Sequence, residues 1–178
     1  MPLTVAGAKP GDMLILTRPI GSGVILAADM LGQAEGRDVA ATLLIMGQAQ
    51  DREAALLAPV AHAMTDVTGF GLAGHVHAMC QASKLDADLF HDAIPIYPGA
   101  RALSDAGVSS TLTPTNYLDS PVAGLYDELL YDPQTAGGLL AAVPEKLSTT
   151  VLQAIIAQGF SGHIIGRLRK GTGCLYLT

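Results

Sequence analysis

In Thr65-Asp66-Val67-Thr68-Gly69-Phe70-Gly71-Leu72, a carboxylate, a hydroxyl and two glycines stand directly ahead of an amphipathic stretch, with Gly74-His75 following. In that order Thr68 can cap the coming helix, while Gly69 and Gly71 let backbone approach another group. Asp66 is then a fixed anion just outside the helix start, which suits a hard divalent cation such as Mg2+. A plain turn and cap would use the same residues, and spacing alone leaves both readings open.

A second stretch, Leu130-Tyr131-Asp132-Pro133-Gln134-Thr135-Ala136-Gly137-Gly138-Leu139, opens a turn at Asp-Pro and runs through paired glycines into an apolar segment. Paired glycines at a strand mark a bulge or a close backbone neighbour. The third, Gly21-Ser22-Gly23, lies between a strand-like and a helix-like segment, where free N–H groups can hold phosphate. Leu26 stands where a dinucleotide fingerprint needs its third glycine, and no Gly-Lys-Ser/Thr ending makes a P-loop. Histidines 62, 75, 77, 91 and 163 form no ligand spacing, and Cys80 and Cys174 belong to no CxxC unit. Two reduced thiols in a cytoplasmic protein are the expectation.

The elements that would position these residues follow from hydropathy period and punctuation. Asp12–Thr17 suits a buried strand and Gly23–Leu31 a helix stopped by Gly32. Arg37 to about Ala63 suits two helices, or one that bends, with a polar break at Asp51-Arg52-Glu53. A helix to about Ser83 aligns Leu72, Val76, Met79 and Cys80 on one face. Leu85, Ala87 and Leu89 alternate with Asp86 and Asp88 as in a half-buried strand, and Pro98–Ala106 forms a short helix. Residues 108–128 are irregular. A strand from Gly137 to Val143, a helix striped by Leu147, Val151 and Ile155, and a closing hairpin of His163–Leu168 with Cys174–Leu177 complete the chain. The fold class expected is α+β, a mixed sheet covered by helices, with residues 1–178 as a single domain.

Composition narrows the function. A net charge of −6, with basic residues bunched only at Arg167-Leu168-Arg169-Lys170, excludes the basic face that nucleic acid requires. No apolar run reaches the ~18 residues of a membrane span. The Met1-Pro2-Leu3-Thr4-Val5 start has no basic region leading into an apolar core, so no signal peptide is expected.

Taken in order, these segments resemble selenophosphate synthetases (selenide, water dikinases). Asp66–His75 is similar to the family's DVTGFGLLGH segment, and Asp132–Leu140 to its DPQTSGGLL segment. Thr17–Gly23 resembles its T-K-P-[LI]-G-T-G turn, and Ile94-Pro95, Pro98-Gly99 and Asn116 match in type and order. Ala136 stands for a family Ser, Ala73 for a Leu, Ser22 for a Thr, and Gln50 about where the family has Asn. The resemblance implies the C-terminal domain shared with aminoimidazole ribonucleotide synthetase. That domain would be half of an enzyme making selenophosphate, AMP and phosphate from ATP, selenide and water. It implies Asp66 as one Mg2+ ligand, working with aspartates of a separate N-terminal ATP-binding half. Read from the residues and not from the resemblance, Thr68, Gly69, Gly21, Ser22 and Gly23 are the candidate phosphate contacts; the resemblance puts the catalytic Cys or selenocysteine and its Lys in that other half. The partners implied are that half, ATP and selenide, in a homodimer, with this piece inactive alone. Another ATP-dependent synthetase of the superfamily, or a non-catalytic anion-binding module, stays open.

Overall fold

The computed structural model describes residues 3–178; Met1 and Pro2, at the head of the stretch read above for a signal peptide, lie outside the described residues. In chain order the elements are β1 (Asp12–Leu16), α1 (Ser22–Met30), α2 (Gly36–Met46), α3 (Asp51–Leu57), β2 (Ala63–Asp66), α4 (Gly71–Ser83) and β3 (Leu85–Leu89). Then follow α5 (Ala100–Asp105), α6 (Thr113–Asp119), β4 (Val122–Gly124), β5 (Leu139–Pro144), α7 (Glu145–Ala157), β6 (His163–Lys170) and β7 (Leu175–Leu177). The strands form one sheet in the order β2-β5-β1-β6-β3-β7-β4. The pairs β3–β7 and β7–β4 are parallel and the others antiparallel, which is the mixed sheet expected.

Both faces are covered at the β2-β5-β1 side, which is why β1 and β5 read as unbroken apolar runs. Leu14, Leu16, Leu140 and Ala142 pack with Val24 and Ile25 of α1 and Leu72 and Val76 of α4. On the opposite face Ile15, Ala141 and Val143 meet Leu57 of α3 and Val151 and Ile155 of α7. The stripe read on α4 holds: Leu72, Val76, Met79 and Cys80 are all fully buried.

Four local expectations are corrected. The two helices expected between Arg37 and Ala63 are α2 and α3, but the break between them is Gly47–Gln50, Asp51-Arg52-Glu53 begins α3, and Ala63–Asp66 is a strand. Residues 108–128 contain α6 and β4. Asp86 is buried, because its Oδ1 accepts the N–H groups of Thr172, Gly173 and Cys174 at 2.8, 3.1 and 2.9 Å. For the same reason β6 and β7 are no hairpin: β3 lies between them, and Asp86 holds the connection that crosses over it.

Helix α4 ends on Lys84, a non-glycine residue at φ 55 and ψ 53. A side chain in this left-handed position is strained where glycine is not. Lys84→Gly is expected to stabilise the chain by about 0.5–1 kcal/mol, read as a higher urea midpoint with an unchanged slope.

Candidate functional site

The register brings the three singled-out segments to one end of the sheet. Strands β1 and β2 both run antiparallel to β5, with Leu16 opposite Leu140 and Asp66 opposite Leu139. The chain therefore leaves β1 into Thr17–Gly23, leaves β2 into Val67–Phe70, and enters β5 from Asp132–Gly138, all at the same edge. Gly137 and Gly138 permit the closeness: a Cβ on Gly137 would stand 2.2 Å from the Val67 carbonyl oxygen, and one on Gly138 2.5 Å from the Arg18 nitrogen.

Asp66 is exposed at the end of β2, and among the described residues no group donates a hydrogen bond to its carboxylate. The backbone after it is pinned at each residue. The Val67 N–H donates to Gly138 O at 2.8 Å, and Thr68 O accepts from Gln134 N at 3.0 Å. The Thr68 N–H donates to His75 Nε2 at 2.9 Å, and Gly69 O accepts from Asn116 Nδ2 at 2.9 Å. His75 can accept because burial lowers its pKa, against the pull of Asp66, so Nε2 keeps its lone pair. Thr68 does not cap α4, whose N-cap is Phe70; its Oγ1 lies 3.2 Å from His75 Nε2 instead. The close approach expected of both glycines belongs to Gly71, where a Cβ would meet Leu130 O at 2.8 Å. Gly69 has nothing within 4 Å of that position. It borders a cleft of about 580 Å³ walled by Leu26, Met30, Leu31 and Leu112, with Gln134 and Thr135 at its polar side.

Gly21, Ser22 and Gly23 do stand at the start of α1, but their N–H groups already have acceptors. Gln134 Oε1 accepts from Gly21 N at 3.1 Å, Ser22 N at 3.2 Å and Ser22 Oγ at 3.0 Å. Asp132 Oδ2 takes the Gly23 N–H at 2.9 Å. These three N–H groups are thus paired within the described residues. Gln50, given no role from sequence, ties the same corner: its Nε2 donates to Gly137 O at 2.9 Å and its Oε1 accepts from Thr17 Oγ1 at 3.2 Å. Sequence alone makes Asp132 and Gln134 turn residues and gives Asn116 no role. Their signal is only that polar side chains interrupt apolar surroundings, which turns share.

Among the described residues no three His, Cys, Asp or Glu side chains gather closely enough to hold a metal ion. Asp66 offers a hard cation one exposed oxygen ligand, which fits one corner of a Mg2+ shell but not a whole site.

Residues 9–174 match the family described as AIR synthase related protein, C-terminal domain. The chain belongs to that family. Within it, the chain is 34% identical over 176 residues to the selenide, water dikinase of Dechloromonas aromatica, with 93% of this chain and 51% of that protein covered. It is 36% identical over 180 residues to the selenide, water dikinase of Myxococcus xanthus, with 95% and 51% covered. The chain thus spans about half the length of these curated relatives. Its fold is shared with thiamine-monophosphate kinase from Stenotrophomonas maltophilia at TM-score 0.73 and 17% identity, covering 98% of this chain and 52% of that one. It is shared too with the hydrogenase maturation protein HypE of E. coli, at TM-score 0.71 and 19% identity, covering 99% and 49%. At such identities the likeness concerns the fold alone. The AIR synthase-related C-terminal domain is therefore the mixed sheet with two helical layers described above.

Proposed function

We propose that this chain is the C-terminal half of a selenide, water dikinase, the enzyme that forms selenophosphate, AMP and phosphate from ATP, selenide and water. The observation that carries the reading is Asp66: an exposed carboxylate without an internal donor, on a turn braced at each residue, where three strands end beside a cleft. A triphosphate carries several negative charges, so carboxylates approach it through a bridging cation. Asp66 would supply one Mg2+ ligand, and an N-terminal ATP-binding half would supply the others. Gly69 borders the cleft with an open backbone face, while the Thr68 hydroxyl lies against His75. The relatives' names and the half-length match support this division of labour. The free thiols of Cys80 and Cys174 fit a cytoplasmic enzyme. An anion-binding module built on Gly21, Ser22 and Gly23 has less support, because Gln134 and Asp132 already occupy those N–H groups.

The test is selenide-dependent AMP formation. This chain alone is expected to form none, and joined to its N-terminal half it is expected to be active. Asp66→Asn in the joined enzyme is expected to slow AMP formation about a hundredfold, the usual scale for losing one charge-stabilising group. An Asp66→Asn enzyme running at the unmodified rate would remove the metal role. AMP production by the isolated chain would refute the division between halves.

A further inference from the structure

Asn116 sits on α6, in a stretch where hydropathy gave no element, and is only 6% exposed. Its Nδ2 donates to two carbonyls from different segments: Gly69 O at 2.9 Å and Tyr131 O at 2.8 Å. Gly69 ends the turn that begins at Asp66, and Tyr131 precedes Asp132. Helix α6 is a firm base for this bridge, since the Tyr117 ring meets the Tyr131 ring edge-on at 5.1 Å and the Tyr131 hydroxyl accepts the Val122 N–H. Gly69 has no side chain and, its chain neighbours apart, no described heavy atom within 4 Å of where one would begin, so nothing holds it from that side.

We infer that Asn116 is a positioning residue for Asp66: it anchors the Gly69 end of the turn and so holds in place the backbone from which the carboxylate projects. The inference rests on the metal role proposed for Asp66. The other anchors, Val67 to Gly138 and Thr68 to His75 and Gln134, hold the middle of the turn. Among the described residues, Asn116 alone ties its far end, Gly69, to Tyr131 beside Asp132. A bond made directly to a metal ligand is worth on the order of tenfold or more in metal affinity, and that sets the scale for Asn116, which acts on Asp66 through the backbone at Gly69.

The experiment has two readouts. In the joined enzyme, Asn116→Ala is expected to raise the Mg2+ concentration for half-maximal AMP formation about tenfold, with the rate at saturating Mg2+ within about twofold of normal. In this chain, amide hydrogen exchange across Thr68–Gly71 is expected to quicken about tenfold, while β1 and β5 keep their protection. Asn116→Leu keeps the volume and removes the donor, and covers the case in which the alanine variant fails to fold. If both variants reduce only the maximal rate, or exchange at Thr68–Gly71 does not change, Asn116 is merely structural and the inference falls. Asp66→Asn, measured alongside, separates the two claims. A Mg2+ requirement unmoved by Asp66→Asn sinks the metal reading itself; one moved by Asp66→Asn but not by the Asn116 variants sinks only the positioning role.

Discussion

Gln134→Ala is expected to destabilise the chain by about 3–5 kcal/mol, one of the largest effects of any single polar replacement in it. The side chain is 5% exposed and its oxygen serves three donors: the N–H groups of Gly21 and Ser22 and the Ser22 hydroxyl. Its nitrogen donates to Asp132 O at 2.7 Å and Asp132 Oδ2 at 3.0 Å. Alanine would leave two N–H groups at the first turn of α1 without acceptors and remove a donor from a buried carboxylate. Each orphaned buried group costs about 1–3 kcal/mol. Because Gln134 also borders the cleft, water can re-enter and recover part of the loss, which sets the estimate below the simple sum. Urea unfolding should show a lower midpoint at unchanged slope. A loss under about 1 kcal/mol would mean that water replaces the amide fully and the latch contributes little. Gln134→Glu restores the acceptor but sets a second carboxylate against Asp132, so it is expected to rescue only at acidic pH.

The contrast between Leu72 and Gln134 explains how much of this molecule could be read in advance. Elements whose identity depends on burial period were legible: the α4 stripe, the continuous apolar run of β5 and the helix carrying Val151 and Ile155 all express a single physical demand, removal of apolar area from water. Strand partners were not. A Gly-Thr-Gly link suggests a hairpin locally, yet Asp86, remote in sequence, draws that link across β3 with three N–H bonds. The candidate site was legible in its ends and not in its ties. Asp66 stands exposed where its spacing before a helix implied. The groups that fix its turn are His75, seven residues past Thr68, and Asn116, Gln134 and the Gly138 backbone, which approach from distant positions. Thr68 shows the limit most plainly: a Thr before a helix reads as a cap, but its hydroxyl lies against His75, one helical turn farther in than any cap target. Side-chain hydrogen bonds between segments leave no period in the sequence, so only the fold reveals them.

Asp132 makes the second large prediction, a stability that falls as the pH rises from about 4 to about 7. Its side chain is completely buried, with Oδ2 accepting from Gly23 N and Gln134 Nε2 and Oδ1 without a partner among the described residues. Burial pushes its pKa from 3.8 up to about 7; N–H donors from Val24, Gln134 and Gly23 oppose the rise, and the charge of Glu128 adds to it. A carboxyl whose pKa is higher folded than unfolded holds its proton longer in the native state. Its full contribution is therefore present below about pH 4, where both states are protonated. Between about pH 4 and 7 the unfolded chain ionises first and stability declines, by at most about 1.4 kcal/mol per pH unit and roughly 4 kcal/mol in total. Above about pH 7 both states are ionised and the loss stops growing. Asp132→Asn keeps the acceptor for Gly23 and cannot ionise, so it should lack this decline and be the more stable protein at pH 8. His75 and His163 have pKa values lowered by burial and act in the opposite sense, losing stability as pH falls, but they are common to both proteins and cancel in the difference. Unfolding free energies of the two proteins from pH 5 to 8 give that difference directly. A constant difference across the range would mean that the partial positive charge at the start of α1 keeps Asp132 ionised in the fold, and that burial is not the deciding force there.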